Sequence, residues 1–148
     1  MEEARQHPAL SPAPARALAV AAALALAGGA ARAADPAPIA VPSGQPVTFL
    51  DTVQGAPGPD GLTVRFRFVA PQIAREGGSI GAEQALSDMQ ALCDGYALPR
   101  LPRGGPVPAQ VIISLADRPV AFGEPDPDAT QYFEAYAVAD GTCQRQDF

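Results

Sequence analysis

The stretch LTVRFRFVA at Leu62–Ala70 alternates without a break. Leu62, Val64, Phe66 and Phe68 point one way, and Thr63, Arg65, Arg67 and Val69 the other. A period of two is the mark of a strand with one face in a core and one in water. Upstream, VTFLDTV at Val47–Val53 is rich in β-branched and aromatic residues and reads as a second strand. The turn-forming run GAPGPDG at Gly55–Gly61 lies between them. The two strands are therefore expected to pair as a hairpin with a long loop.

Downstream, Pro71–Ser79 is irregular and broken by Gly77-Gly78. A helix is expected from Ala82 to Tyr96. Ala85, Leu86, Met89, Leu92, Cys93 and Tyr96 recur at steps of three and four and form one buried stripe. Glu83, Gln84, Ser87, Asp88, Gln90 and Asp94 take the remaining, polar positions. Gly95 and then Pro99 end it. After the Pro/Gly connector Pro99–Pro108, QVIISL at Gln110–Leu115 is a central strand. Asp117-Arg118-Pro119 is a turn, Val120–Gly123 a short strand and Glu124–Asp128 a loop. TQYFEAYAVA at Thr130–Ala139 suits either a helix begun by Asp126-Pro127 or a strand. Its aromatic content and the Asp140-Gly141 hairpin signal favour the strand, with Thr142-Cys143 starting the return. The order predicts an α+β fold: a small antiparallel sheet with one helix packed on a face and Pro/Gly-rich loops.

Residues Ala17–Ala31 form an uncharged run of 15, preceded by Arg16 and followed by Ala31-Arg32-Ala33. A basic flank, a short apolar core and an A-x-A site are the pattern of a secretory signal peptide, so cleavage is expected after Ala33. The alternative is an uncleaved anchor, but a membrane-spanning helix needs about 20 apolar residues. No Cys near the site invites lipid modification. The chain then divides into a signal peptide (1–33), a Pro-rich flexible arm (34–46), mobile or laid across the surface, and one small domain (47–148). The expected location is periplasmic or secreted, with membrane contact only during export.

The 148 residues carry 10 Lys+Arg against 16 Asp+Glu. This acidic balance disfavours nucleic acid, whose phosphates need a basic face. The sole histidine, His7, lies in the segment expected to be removed. Every basic residue is Arg. A mature chain without His builds no Ser-His-Asp or Cys-His constellation and none of the usual His-bearing catalytic zinc sites. Without Lys it forms no Schiff base. No cofactor is implied. Cys93 and Cys143 are the only cysteines, and an even count in an exported chain reads as a disulfide. Closing a loop of this length removes roughly 4 kcal/mol of unfolded-chain entropy.

DMQALCDGYALPRL at Asp88–Leu101, IISLADRPVAFG at Ile112–Gly123 and DATQYFEAYAVADGTC at Asp128–Cys143 resemble a family of short exported bacterial proteins classed only as a domain of unknown function. The resemblance implies export and the paired cysteines. It supplies no activity and no catalytic residue.

Four side chains stand out as interaction candidates. Asp117 and Arg118 sit at the end of the strongest strand, where loops commonly carry function, although Asp-Arg-Pro also makes an ordinary turn. Arg65 and Arg67 share a strand face and could hold a carboxylate or form cross-strand ion pairs. Glu124, Asp126 and Asp128 mimic the start of a calcium loop, but Ala129 and Ala135 occupy the positions where Gly and Glu are needed. Tyr132, Tyr136, Phe122 and Phe133 read as core more readily than as a recognition surface. The expected function is an exported, non-catalytic binding or accessory module whose partner is an envelope protein. Two alternatives stand beside it: a carboxylate-pair glycan hydrolase, and a small inhibitor of an exported enzyme presenting Leu98–Pro108.

Overall fold

The computed structural model describes residues 36–58 and 61–147, with side chains from 56 to 58 left aside. The segment expected to be a signal peptide, with the cleavage expected after Ala33, lies outside the described residues. Five strands form one sheet in the order β1 (Thr48–Gly58), β2 (Gly61–Val69), β3 (Gln110–Ala116), β4 (Gln131–Ala139) and β5 (Thr142–Arg145). The helix α1 (Ala82–Leu92) lies between β2 and β3 in the chain. The fold is α+β with one disulfide, as the sequence leads one to expect. The sheet is mixed: β1–β2, β3–β4 and β4–β5 are antiparallel, while β2–β3 is parallel. The helix supplies the reason. A crossover of some forty residues carries the chain back to the starting end, so β3 runs in the direction of β2.

The alternation read in Leu62–Ala70 holds through β2. Val64, Phe66 and Phe68 are buried, and the register sets them beside Val111, Ile113 and Leu115 of β3. Tyr136 of β4 faces Val111, and Ala85, Met89 and Leu92 of α1 close over this face. Each large side chain so buried contributes roughly 1.5–3 kcal/mol. Leu62, at the start of β2, is exposed instead. The β1–β2 ladder reaches Gly58↔Gly61 rather than ending in a long loop, with irregularities between Phe49 and Asp51 and between Gln54 and Ala56. Gly55, at φ 74°, absorbs the second as a bulge residue that a side chain would strain.

The helical course outlasts Gly95. A π turn over Cys93–Ala97 and a 3-10 turn over Leu98–Arg100 follow α1 directly. They bring Tyr96 against Phe49, Phe66 and Phe68 at centroid distances of 5.3, 6.5 and 5.3 Å. Cys93, on the buried side, is bonded to Cys143 of β5 with the Cα atoms 6.1 Å apart. Two hydrogen bonds flank this staple: the Cys143 N–H donates to Asp94 Oδ1 (2.8 Å), and Gln90 Nε2 donates to the Cys143 carbonyl (2.9 Å).

Of the ambiguous stretch, Gln131–Ala139 is strand, and the Asp140-Gly141 turn has positive φ at both positions (53° and 72°), the signature of a two-residue type I′ hairpin. Val120–Gly123, expected as a short strand, is a turn. The Val120 carbonyl accepts a hydrogen bond from Arg67 Nη2 (2.7 Å), and Gly123 turns the chain at φ 83°.

Asp88 departs most from its expected place. Assigned to the polar face, it is fully buried. The Pro-rich arm, expected to be mobile or laid across the surface, lies against the body over residues 39–45 and meets it there. Ser43 N–H (2.9 Å) donates to Asp88 Oδ1, while Ser43 Oγ (2.6 Å) and Gln45 Nε2 (2.7 Å) donate to Oδ2. Ile39 bridges Val47, and Ile39 and Val41 pack on the core. Among the described residues no helix is long and apolar enough to cross a membrane.

Candidate functional site

The loop from Asp117 to Thr130 joins β3 to β4 and gathers most of the sequence-predicted candidates. Its base is closed by the Asp117 N–H donating to the Thr130 carbonyl (3.0 Å). The Asp117 carboxylate, 3% exposed, accepts two hydrogen bonds from the half-exposed Arg118 guanidinium, at 3.0 Å on Oδ1 and 3.2 Å on Oδ2. Those hydrogen bonds hold the Asp117 carboxyl below the usual carboxylate range, against the opposing effect of burial, and Asp117 in turn raises Arg118. Arg75 braces the same loop: its N–H donates to Thr130 Oγ1 (3.1 Å) and its Nη2 to the Pro127 carbonyl (2.6 Å).

A cleft of about 540 Å³ opens here, lined by Arg75, Glu76, Asp117, Arg118, Pro127 and Asp128 with Ala74. It sits just past the carboxyl end of β3, in the region where sheets with parallel strands commonly receive ligands. Asp117 and Arg118 answer one another, and the Arg75 guanidinium is engaged by the Pro127 carbonyl. Asp117 stays ionised, the wrong state for a general acid. Of the acidic triplet, Asp126 Oδ1 accepts from the N–H groups of Asp128 (3.1 Å) and Ala129 (3.2 Å) and so closes its own turn. Asp128 lines the cleft. Among the described residues no three metal-binding side chains come together.

The sheet face turned away from α1 carries the other pair. Arg67 is engaged: Nε meets Asp51 Oδ1 at 2.8 Å, cross-strand in register, and Nη2 holds Val120. It pins the loop to the sheet. Arg65 is half-buried and has no hydrogen bond or ion pair among the described residues. Burial, and then Arg67, lower its pKa. Its guanidinium lies 5.8 Å from the Phe122 ring, and that of Arg67 lies 5.6 Å from it. Phe122 and Phe133 are 55% and 62% exposed. Phe133 extends the face through Ser114, its partner on β3, which in turn pairs Arg67. The aromatic set therefore splits. Tyr136 and Tyr132 belong to or pack on the core, while Phe122 and Phe133 are presented to solvent. In the connector, Leu98 and Leu101 pack on the core and Val107 is exposed.

Sequence reasoning named Arg65, Arg67, Asp117 and Arg118, and the structure separates them by their partners. It missed the Asp88 clamp. The signal was present: Asp88 lies at steps of three from Ala85 and four from Leu92, on the buried stripe.

No curated protein and no solved structure matches the chain. Residues 18–148 match the model of a family of unknown function, DUF6497. The match covers most of the chain, and the protein belongs to that family of unknown function.

Proposed function

We propose that this chain is an exported, non-catalytic binding or accessory module of the bacterial cell envelope, and that it binds through the uncovered sheet face around Arg65. One observation carries the reading: a half-buried guanidinium with no counter-ion among the described residues, beside the exposed Phe122 on a face that the exposed Phe133 extends. An unpaired, partly desolvated cation is costly. A carboxylate placed on it by a partner relieves that cost through a bidentate contact, and the phenylalanines supply apolar area around it. Arg and aromatic side chains are the residue types that dominate binding energy at interfaces. The partner is thus an envelope protein presenting an acidic side chain beside apolar ones. The Cys93–Cys143 bridge supports an oxidising compartment, and the signal-like segment supports export.

The test compares capture from envelope extract by the unaltered chain, Arg65→Ala and Phe122→Ala, followed by titration of the captured partner. The expected result is a partner whose affinity falls about tenfold or more in each variant. Capture indifferent to both substitutions sinks the reading. Export is tested by the mass of the protein recovered from the envelope: 33 residues and two hydrogens lost. Full-length, reduced protein in the cytosol refutes it.

A second reading has one observation behind it: Glu76, Asp117 and Asp128 all line the cleft beside the β3–β4 loop. A glycan hydrolase would draw its carboxylate pair from these three. Release of reducing ends from envelope glycan, abolished in Glu76→Gln or Asp128→Asn, would support it, and no release from the unaltered protein would remove it.

A further inference from the structure

A second recess, of about 490 Å³, opens on the opposite side of the sheet from Arg65. Leu86, Ser87 and Gln90 of α1 line it together with Tyr136 and Arg145, which are register partners on β4 and β5. Tyr136 is fully buried, and its hydroxyl meets no donor or acceptor among the described residues. Leaving a buried hydroxyl unmet is costly, because its lost hydration is not replaced. In most proteins such groups are satisfied, so each exception asks for a reason. Burial raises the pKa of Tyr136, so the phenol remains a protonated donor across the physiological range.

The other polar groups narrow what could answer it. Arg145 is exposed and has no ion pair among the described residues. The Ser87 hydroxyl has only a long contact, 3.5 Å, to the Glu83 carbonyl. Gln90 Nε2 is taken by Asp94 Oδ2 and the Cys143 carbonyl, both at 2.9 Å. What remains available is a phenol, a guanidinium fork and a hydroxyl, all able to donate, and the Gln90 Oε1 as an acceptor, beside the apolar wall of Leu86. Three donors, one of them cationic, against one amide oxygen favour an anion. Two acids act against it, since Glu134 and Asp94 are both felt at Tyr136. Asp94 accepts hydrogen bonds on both oxygens, from the Cys143 N–H and Gln90, but those neutral donors leave its charge in place, so both acids compete, Glu134 the more strongly. A single guanidinium near two acids, in a chain of net charge −6, suits a singly charged planar anion better than phosphate.

We propose that this recess binds a small organic monocarboxylate, its carboxylate held by Arg145 and the Tyr136 hydroxyl and its short aliphatic tail laid against Leu86. The site is independent of the sheet face proposed above.

The experiment titrates the ¹⁵N-labelled, disulfide-intact full chain with acetate, butyrate and inorganic phosphate at constant ionic strength. The expected result is a saturable shift of the Ser87, Gln90, Tyr136 and Arg145 amides, with butyrate tighter than acetate by about threefold or more and phosphate weaker than either. Tyr136→Phe and Arg145→Gln each lower butyrate affinity about fivefold or more, while Glu134→Gln raises it. Tyr136→Phe removes one oxygen and keeps the ring, and the amide spectrum reports that its fold is retained. Arg65→Ala leaves butyrate binding unchanged. Shifts that fail to saturate or scatter over the surface overturn the proposal. So does undiminished binding in Tyr136→Phe, and phosphate binding as tightly as butyrate overturns the ligand class.

Discussion

Replacing Asp88 with Ala removes the acceptor of three hydrogen bonds, from Ser43 N–H, Ser43 Oγ and Gln45 Nε2. Hydrogen bonds to a charged group contribute about 1.5–3 kcal/mol each before the cost of burying that group is set against them. The carboxylate is fully buried, so much of the gross sum offsets its own desolvation. Each donor left without its acceptor costs about 1–3 kcal/mol. The lower end applies here, because Ile39, Val41 and Val47 still hold the segment by apolar contact. A loss of about 3 kcal/mol is therefore expected, in a domain whose total is about 5–15 kcal/mol. For a body of roughly this size it lowers Tm by about 12–24 °C. Gln45→Ala breaks one bond of the three and should cost about 1–1.5 kcal/mol. Asp88→Asn keeps the shape but offers one oxygen to three donors, and falls between. Urea unfolding with the disulfide intact gives the stabilities, and amide hydrogen exchange at residues 43–47 reports whether the segment is released. The reasoning fails if Asp88→Ala stays within about 0.5 kcal/mol of the parent. It also fails if stability drops while exchange at residues 43–47 is unchanged.

Two further outcomes are expected. Substituting both cysteines by Ala frees the 50-residue separation between Cys93 and Cys143 and should lower stability by about 3–4 kcal/mol; a loss under about 1 kcal/mol would mean that the hydrogen bonds of Asp94 and Gln90 hold the hairpin without the bridge. The Asp117 carboxyl is depressed by Arg118 in the folded state, so it contributes stability that is complete above the unfolded carboxylate value, near 4. That contribution is lost as pH falls through the lower, folded value. Asp117→Asn should flatten the dependence of stability on pH below about 4; an unchanged slope would assign the acid sensitivity to other groups.

Much of this fold is legible in the residues because local periodicity is a local property. The alternation in Leu62–Ala70, the apolar run of Gln110–Leu115 and the stripe of Ala85, Met89 and Leu92 each declare an element and its inward side. Asp140-Gly141 requires two positive φ values and finds residues that tolerate them. The length of β1 was harder to read, since Gly and Pro at residues 55–58 signal a loop whether or not a bulge lets the ladder continue. Val120–Gly123 has strand-like composition, but its backbone carbonyl is claimed by Arg67 from another strand.

The candidate site divides along the same line. Reading the chain alone was enough to name Arg65, Arg67, Asp117 and Arg118, because exposed arginines on a strand face and charges at a strand end follow from order and spacing. Which of them is engaged depends on what the rest of the chain brings near. Arg67 finds Asp51 and Val120, Asp117 finds Arg118 and Thr130, and Arg65, among the described residues, finds the Phe122 ring. The class of fold, the pairing of the two sulfurs and the inward faces were thus determined by the sequence. The parallel pairing of β2 with β3, the partners that meet Asp88 and the lack of an ion pair for Arg65 among the described residues were decided by tertiary structure. Hydrogen bonds between strands and the partners of buried charges come from residues far along the chain, such as the 45 positions between Ser43 and Asp88, and no local pattern encodes that meeting.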